Sequence, residues 1–496
     1  MKKERQLDAS GKPKFGMADK LAYAAGDLGC NMSFSLKGTV QTFWLVFMML
    51  ETGLLSALLL VVQIWDAIND PLIGSMIDAD RRNYKMGKFK TYIFVGACGL
   101  LVAGALVFIP APNADVWLKA VLFILGYVIW DACYTIANVP YGSMLSLVTE
   151  DAGERAQLST WRSVGSMIGN MLPMVILPML IWRKEVDANG DPVLNSAGEQ
   201  VETLLGNRVF FAALIMGVLG FLCFLFMIKK ITVRVDENSV KTNEAQKFNV
   251  IKAFGNFMKN RPAVGATLAA MAMFLGMNSA TTATTIMFAS YFGKASMSGL
   301  VSVIGFLPMF FFMPFIKKIV NKWGKKEAAV VGAMVSVAGG ILMFIFPLIS
   351  NKTAALGMYV LALCIFGIGM GVYTCVSWAL MADAIDYNEW KTGKREEGTV
   401  YSLHSFFRKL AQGIGPSVVL LLMGALGYVS ANGTGGQTLQ TATNMCWLVS
   451  GLYLFSAVLM LVGLAVVYNL DKKTMAQMTE ELAARKELVA DTSKEA

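Results

Sequence analysis

The stretch LLSALLLVVQIWDAINDPLIGSMI, residues 54–77, is long and apolar, yet its second half carries Asp66, Asn69 and Asp70. A helix of about 20 apolar residues spans the hydrocarbon core of a membrane. An aspartate at mid-membrane costs about 2.5–3.5 kcal/mol, so we expect two of them only where a polar cavity or a positive partner compensates the charge. The stretch therefore predicts a membrane-spanning helix that carries a functional site.

The rest of the chain repeats this apolar pattern. Hydrophobic residues make up 55% of the 496 residues and charged residues 16%, whereas an ordinary soluble domain carries about 25% charged residues. The predicted fold class is an all-α membrane protein with twelve spans. The spans are predicted at residues 19–50, 54–77, 91–110, 116–147, 158–182, 208–228, 261–292, 298–316, 327–349, 354–383, 399–427 and 443–469.

A long polar segment divides these spans into six and six. A basic turn that contains glycine also recurs, as DADRRNYKMGKFK after span 2 and as KKIVNKWGKKE after span 8. We therefore expect two six-helix bundles with a substrate site near the membrane midplane. The expected divisions are an N-terminal segment at 1–18, bundles at 19–228 and 261–470, a central loop at 229–260 and a tail at 471–496.

The net charge of +9 follows the membrane topology. Lysine and arginine cluster in the loops after spans 2, 6 and 8 and are sparse in the loops between them. The positive-inside rule then places both termini and the basic loops in the cytoplasm. We expect a multi-pass protein of the inner (plasma) membrane whose surroundings are lipid, with no nucleic-acid partner and a monomeric working unit.

The sequence lacks the motifs of nucleotide and metal chemistry. It contains no phosphate-binding glycine loop and no nucleophile elbow, and its seven cysteines and single histidine, His404, form no metal-binding spacing. We therefore expect neither an enzyme nor a bound cofactor. An ion gradient is the expected source of energy for any transport.

Asp66 and Asp70 stand four residues apart, so a helix places them on one face with Asn69 alongside. Hard oxygen ligands of this kind suit Na⁺ or Li⁺, and a carboxylate can hold H⁺ instead. Lys409 is the leading candidate for a positive partner from within the chain, and it could alternate with the cation. The alternative interpretation is a structural ion-pair network that holds helices together.

Span 4 is the second place where polar residues collect. Its segment WDACYTIANVPYGSMLS includes Asp131, Tyr134, Thr135 and Asn138. Thr135 could offer a hydroxyl to the cation, Asn138 could hydrogen-bond a polar solute, and Asp131 could orient them. Small and polar residues also pack helices together in membranes, and that alternative stays open.

Six motifs resemble those of a known family. They are WDAINDP (65–71), GKFK (87–90), YTIANVPYGSM (134–144), ERAQLSTWR (154–162), ADAIDYNEWKTGKREEG (382–398) and YSLHSFFRK (401–409). In order and in both halves, they resemble the glycoside-pentoside-hexuronide:cation symporters of the major facilitator superfamily, to which melibiose permease belongs. The resemblance implies the major facilitator fold and sugar uptake driven by a Na⁺, Li⁺ or H⁺ gradient through alternating access.

The resemblance also assigns roles to residues of this chain. It implies that Asp66, Asn69, Asp70 and Thr135 bind the cation, and that Lys409 is the lysine that couples cation and sugar. At the sugar site it places Asn31 and Asn138 where melibiose transporters have aspartates, and it retains Arg162. The residues expected to contact substrate are Asp27, Asn31, Tyr134, Asn138, Arg162, Thr374, Trp378 and His404.

The identity of the sugar remains open at this stage. An amide both donates and accepts hydrogen bonds, so amides at these two positions make melibiose itself doubtful. Arg162 makes a carboxylated or sulfonated sugar more plausible, while a pentoside or a neutral glycoside fits the amides equally well. Trp378 either stacks on the sugar or packs, because the family's tryptophan aligns with Thr374. The alternative functions are a lysolipid carrier of the same fold and, less favoured, a sugar sensor.

Overall fold

The computed structural model describes residues 13–80, 82–149, 151–235, 250–393 and 397–495. Contacts divide these residues into two compact units. Unit 1 holds the described residues up to Val235 together with Gly293–Gly299 and Tyr428–Gln437. Unit 2 holds the described residues of Lys247–Phe292, Leu300–Gly427 and Thr438–Ala496.

Unit 1 is built of seven long or medium helices and one short hairpin. The helices are α1 (Met17–Phe34), α2 (Leu36–Thr42), α3 (Thr52–Ala79), α4 (Lys88–Leu106), α5 (Val116–Val148), α6 (Ala152–Ile181) and α7 (Gly206–Lys230). A π-helical turn, Phe43–Phe47, extends α2. The strands β1 (Trp182–Lys184) and β2 (Glu202–Leu204) pair antiparallel, with Trp182 opposite Leu204.

The helices of unit 2 follow in chain order. They are α8 (Val250–Lys259), α9 (Arg261–Met273), α10 (Ala280–Ser290), α11 (Ser298–Phe312, whose first two residues belong to unit 1), α12 (Ile316–Trp323), α13 (Lys325–Leu342), α14 (Lys352–Thr392), α15 (Glu397–Ala425), α16 (Leu439–Val462) and α17 (Lys472–Glu495). A π-helical turn at Phe274–Asn278 joins α9 to α10, and another at Gly463–Val467 extends α16.

Ten helices in the described part of the chain are long and apolar enough to cross a membrane. They correspond to ten of the twelve predicted spans. The predicted span at 19–50 is helical in α1, α2 and the π-helical turn Phe43–Phe47 but is not among these ten. The predicted span at 298–316 is also helical, although α11 is only 15 residues long. The all-α class is confirmed.

Two of the predicted non-membrane segments contain helix. The central loop is predicted at 229–260, and α8 (Val250–Lys259) forms its last part. Residues 236–249 of this loop lie outside the described residues. The predicted tail is helical from Lys472 onward. Residues 1–12 of the predicted N-terminal segment also lie outside the described residues. The division into two six-helix bundles stays a prediction.

Small residues let α1 and α6 approach closely. A Cβ added to Gly165 of α6 would lie 2.1 Å from the carbonyl oxygen of Ala24, and one added to Gly169 would lie 2.8 Å from the Cβ of Asn31. Small residues at helix interfaces in membranes permit this kind of backbone contact. The contact fixes α6 against the face of α1 that carries Asp27.

The hairpin β1–β2 binds two segments that are remote in sequence but belong to the same unit. The carboxylate of Glu202 accepts hydrogen bonds from the backbone N–H of Ser296 (2.7 Å) and from its hydroxyl (2.8 Å). The Thr434 hydroxyl donates to the Glu202 carbonyl oxygen (3.3 Å), and the Ser196 hydroxyl donates to the Gln437 carbonyl oxygen (2.7 Å). We call this set of contacts the hairpin clasp.

Candidate functional site

A hydrogen-bonded network joins α3 to α5. The amide Nδ2 of Asn69 donates to the Asp131 carboxylate (3.1 Å) and to the Thr135 hydroxyl (3.0 Å). The Thr135 hydroxyl donates in turn to Asp70 (2.9 Å). Asn69, Asp131 and Thr135 are almost fully buried. We call these residues, with Asp66 one helical turn before Asp70, the cation network. The structure thus brings Asn69, Asp70 and Thr135 of the predicted set into direct contact.

Asp131 is a full member of this network. In the sequence it was a candidate orienting residue, and the structure shows its carboxylate holding one hydrogen of the Asn69 amide. The amide then presents its oxygen away from Asp131 and Thr135, because both hydrogen bonds use its nitrogen. Asp131 therefore fixes which way the Asn69 amide points.

Asp66 is approached by a lysine that sequence reasoning missed. The Lys37 ammonium of α2 lies 3.9 Å from an Asp66 carboxylate oxygen. It also lies 4.9 Å from the ring centroid of Phe34 and 5.9 Å from that of Tyr127. The signal was present in the sequence, because FSLKGTV places an isolated lysine inside the apolar span at 19–50.

The cation network contains oxygen atoms of the kinds that bind a hard cation. Carboxylate, amide and hydroxyl oxygens are the ligands that such cations prefer. Within the described residues, no three side chains of the types His, Cys, Asp and Glu are close enough to hold one metal ion. A cation would therefore depend on Asn69 and Thr135 as well as on the carboxylates, and its binding would replace hydrogen bonds among them.

A second network lies between α1 and α6. Arg162 Nε donates to the Asp27 carboxylate (3.0 Å), and Asn31 Nδ2 donates to the same carboxylate (2.9 Å) and to the Asp27 carbonyl oxygen (2.8 Å). Asn170 Nδ2 donates to the Asn31 amide oxygen (2.7 Å). We call these four residues the sugar network. It brings together Asp27, Asn31 and Arg162 of the predicted substrate set.

Asn170 was missed by sequence reasoning. It follows Arg162 by eight residues on α6, so the two side chains share a helix face. The Asn31 amide is thereby engaged on both of its ends, by Asp27 and by Asn170. In this structure Asn31 holds the Asp27 carboxylate in place, and Asp27 supplies the negative charge beside Arg162.

Helix α5 carries Thr135 and Asp131 of the cation network, and its Tyr141 contacts the sugar network. Its Tyr141 ring lies under the Arg162 guanidinium, 5.2 Å from the ring centroid, and the Tyr141 hydroxyl donates to the Tyr23 carbonyl oxygen (2.8 Å). Thr135 of the cation network precedes Tyr141 by six residues, which is a rise of about 9 Å along a helix. The two networks are therefore connected through one rigid element.

Two further predicted substrate residues lie between them on α5. The Tyr134 ring contacts the Phe34 ring, with 6.0 Å between centroids. Asn138 is half-buried, and its side chain makes no hydrogen bond within the part of the chain that the structure describes. Its amide thus retains donors and an acceptor for a polar solute.

The other predicted residues belong to unit 2. His404 Nδ1 lies 2.9 Å from the Thr267 hydroxyl and is buried, while the Thr374 hydroxyl donates to the Met370 carbonyl oxygen of its own helix. Lys409 lies at an exposed position on α15. Its predicted pairing with Asp66 and Asp70 joins residues of different units and stays a prediction.

Trp378 stands among polar and aromatic groups on α14 and α15. It is 51% exposed, and its ring stacks on Tyr401, with 6.0 Å between centroids. The Arg408 guanidinium lies 5.3 Å from the Trp378 centroid and 5.8 Å from that of Phe274. Arg408 was missed, although it directly precedes Lys409 in the YSLHSFFRK motif.

Comparison with known proteins shows which family this chain belongs to. Residues 22–472 match the family model described as MFS/sugar transport protein. The chain is 28% identical over 481 residues to the uncharacterized symporter YjmB of Bacillus subtilis, covering 95% of this chain and 96% of the relative. It is 27% identical over 473 residues to the glucuronide carrier protein homolog of Escherichia coli, covering 94% and 96%.

Solved structures agree on the fold. The D-xylose-proton symporter superposes with a TM-score of 0.57 at 17% identity, covering 89% of this chain and 95% of that chain. The resemblance to the glycoside-pentoside-hexuronide:cation symporters is thus confirmed at the level of the family. The chain belongs to the MFS/sugar transport protein family, has the fold of the major facilitator superfamily, and is a transporter rather than an enzyme.

Proposed function

We propose that this chain imports a glycoside, pentoside or hexuronide together with Na⁺, Li⁺ or H⁺ by alternating access. The working unit is a monomer in the inner (plasma) membrane with both termini in the cytoplasm. The observation that carries this proposal is the cation network, in which Thr135 and Asn69 tie the carboxylates of α3 to α5.

The charge of this network calls for a cation. Asp66, Asp70 and Asp131 lie on two adjacent helices of one unit. Carboxylates gathered in a low-dielectric region destabilise one another unless positive charge joins them. A Na⁺ or Li⁺ ion, or a proton, supplies that charge and draws the driving force for uptake from its gradient. Lys409 is proposed to alternate with the cation, on the strength of its motif.

The sugar network supports a substrate rich in hydroxyl groups. Asp27 accepts hydrogen bonds and Arg162 donates them, and Asn138 can do both. The Arg162 side chain is 39% exposed, so part of its guanidinium remains accessible beyond the bond to Asp27. Because Asp27 balances the charge of Arg162, a neutral glycoside fits this site. The accessible part of the guanidinium also suits the carboxylate of a hexuronide.

By resemblance, three residues of unit 2 are also proposed to contact the substrate. They are Thr374, Trp378 and His404, and support for them comes from the aromatic and polar surroundings of Trp378. Tyr134 and Asn31 belong to the proposed site from unit 1. No contact among the described residues of either unit favours the alternative function of a lysolipid carrier.

The test is uptake into membrane vesicles of neutral, uronic and sulfonated glycosides, with and without a Na⁺, Li⁺ or H⁺ gradient. Asp66→Asn and Asp70→Asn should lose accumulation against a gradient but retain downhill exchange of the substrate. Asp115→Asn is the matched control, because Asp115 is exposed at the start of α5 and forms no side-chain cap there. Normal accumulation in both site variants would contradict the proposal.

A further inference from the structure

The Lys37 ammonium lies where a mobile cation would lie beside Asp66. Its nitrogen is 3.9 Å from the carboxylate oxygen, and the two side chains are 25% and 27% exposed. A lysine within an apolar span requires compensation, as does an aspartate, and here the two compensate each other. A positive charge is therefore already built into the cation network.

Aromatic rings flank this ammonium on two sides. Phe34 precedes Lys37 by three residues and its ring centroid is 4.9 Å away, while the Tyr127 centroid on α5 is 5.9 Å away. Aromatic faces within about 6 Å attract a cation. The Gln63 amide of α3, three residues before Asp66, donates to the Tyr127 hydroxyl (3.4 Å). Residues from α1, α3 and α5 thus form a cradle around the amino group of Lys37.

The contact between Lys37 and Asp66 is loose. A separation of 3.9 Å is too long for a hydrogen bond, so Asp66 holds the ammonium by charge alone, while the Tyr127 side chain also interacts with it. Because the rings of Phe34 and Tyr127 also attract the ammonium, it can move away from Asp66 and still lie within the cradle. An ion that ligates Asp66 directly can therefore displace the ammonium at modest cost.

We propose that Lys37 is a built-in competitor of the coupling cation. Its ammonium neutralises Asp66 when no cation is bound, and a cation that binds Asp66 moves it toward Phe34 and Tyr127. Binding of the cation and position of the lysine are then linked, so each opposes the other by the same factor. This inference rests on the cation-coupled function proposed above, and it adds a residue that sets the affinity for the cation.

The experiment uses the purified full-length protein and Na⁺ alone as the probe. Sodium replaces choline at constant ionic strength, and tryptophan fluorescence is followed because Trp65 adjoins Asp66 and Trp130 adjoins Asp131. Lys37→Gln and Lys37→Met should lower the half-saturating Na⁺ concentration by about tenfold. This is the effect expected when a Coulomb interaction at this distance is removed and its strength is reduced for partial exposure. Lys37→Arg should stay near the parent value.

Two controls separate the inference from the proposed function. Lys20→Gln removes a charge from the same predicted span, beside Phe15 and away from Asp66, and should leave the Na⁺ response unchanged. An unchanged half-saturation in both neutral Lys37 variants, with the response lost in Asp70→Asn, overturns the competitor role and leaves the cation site standing. The titration is repeated with Li⁺ and with pH. If neither the parent nor the two neutral variants respond to any of the three, cation coupling itself is overturned.

Discussion

Two lysine–aspartate pairs, one in each unit, differ in the geometry of their contact. Lys325 of α13 donates to both carboxylate oxygens of Asp383 on α14, at 2.6 and 2.9 Å. Lys37 reaches one oxygen of Asp66 at 3.9 Å. Charge-assisted hydrogen bonds of the first kind are short and strong, whereas the second pair has only a charge contact. The first geometry suits a lysine that holds helices together. The second suits a lysine that moves away from its aspartate when a cation binds.

The surroundings of the two pairs reinforce the difference. Next to Asp383, the Ala384 carbonyl oxygen accepts from Asn260 Nδ2 (2.9 Å), and three residues earlier the Leu380 carbonyl oxygen accepts from the Tyr468 hydroxyl (3.2 Å). Polar contacts from several segments thus fix this part of α14. Around Lys37 the neighbours include the rings of Phe34 and Tyr127, and no carboxylate oxygen lies within hydrogen-bond distance of its ammonium among the described residues.

The largest expected effect tests the tight pair. Asp383→Asn should lower the free energy of unfolding by about 2 kcal/mol, because removing one partner of a buried pair costs about 3–5 kcal/mol and the partial exposure of Lys325 reduces this. Asp66→Asn should lower stability by less than Asp383→Asn does, because its pair with Lys37 is longer and partly exposed, while it removes coupling. The unfolding temperature of both variants in the same detergent checks the contrast. Equal destabilisation would remove the distinction between the two pairs.

The next effect concerns the arginine–aspartate pair of the sugar network. Arg162→Lys keeps the charge beside Asp27 but loses the planar guanidinium that lies over Tyr141. We expect the KM for substrate to rise about tenfold, equivalent to about 1.4 kcal/mol, with little change in the Na⁺ response. Arg183→Lys, at an exposed position of β1, is the control. A change in Na⁺ affinity without one in KM would assign Arg162 to the cation.

How far the sequence predicts these sites depends on which helices meet. The helical period places Asp66, Asn69 and Asp70 on one face, and in the structure Asn69 and Asp70 share hydrogen bonds with Thr135. The period alone does not select the facing helix. That choice is made by packing, as where Gly165 admits the backbone of Ala24 and so brings Arg162 to Asp27.

Lys37 and Asn170 illustrate the remaining gap in physical terms. Lys37 was visible as a charge inside an apolar span, but its partner lies on α3, in a different predicted span. Asn170 was visible only as a polar residue on the Arg162 face of α6, and its role became evident through its contact with Asn31. The type of each side chain can be read from the sequence, whereas a contact between two helices is known only once the fold is known.

A smaller effect is expected where a carboxylate is held without any cation. Glu202 is 4% exposed and accepts two hydrogen bonds from Ser296 in the hairpin clasp. Glu202→Gln retains one acceptor oxygen and should cost about 1 kcal/mol, the typical worth of one hydrogen bond. The unfolding temperature checks this, with Glu199→Gln on the same hairpin loop as the control. No loss of stability would show that the clasp contributes nothing to the folded unit.

The smallest effect belongs to a carboxylate held by tyrosines. Hydrogen bonds from Tyr84 and from Tyr92 (2.6 Å) lower the pKa of Asp80 from 3.8 to about 2. Because the pKa is depressed in the folded state, these bonds stabilise the protein fully above about pH 4, and the contribution is lost as the pH falls toward 2. Asp80→Asn should therefore lower the unfolding temperature equally at pH 7 and pH 5, and by less at pH 3. A difference that already changes between pH 7 and pH 5 would contradict the lowered pKa of Asp80 and the role of the two tyrosines in it.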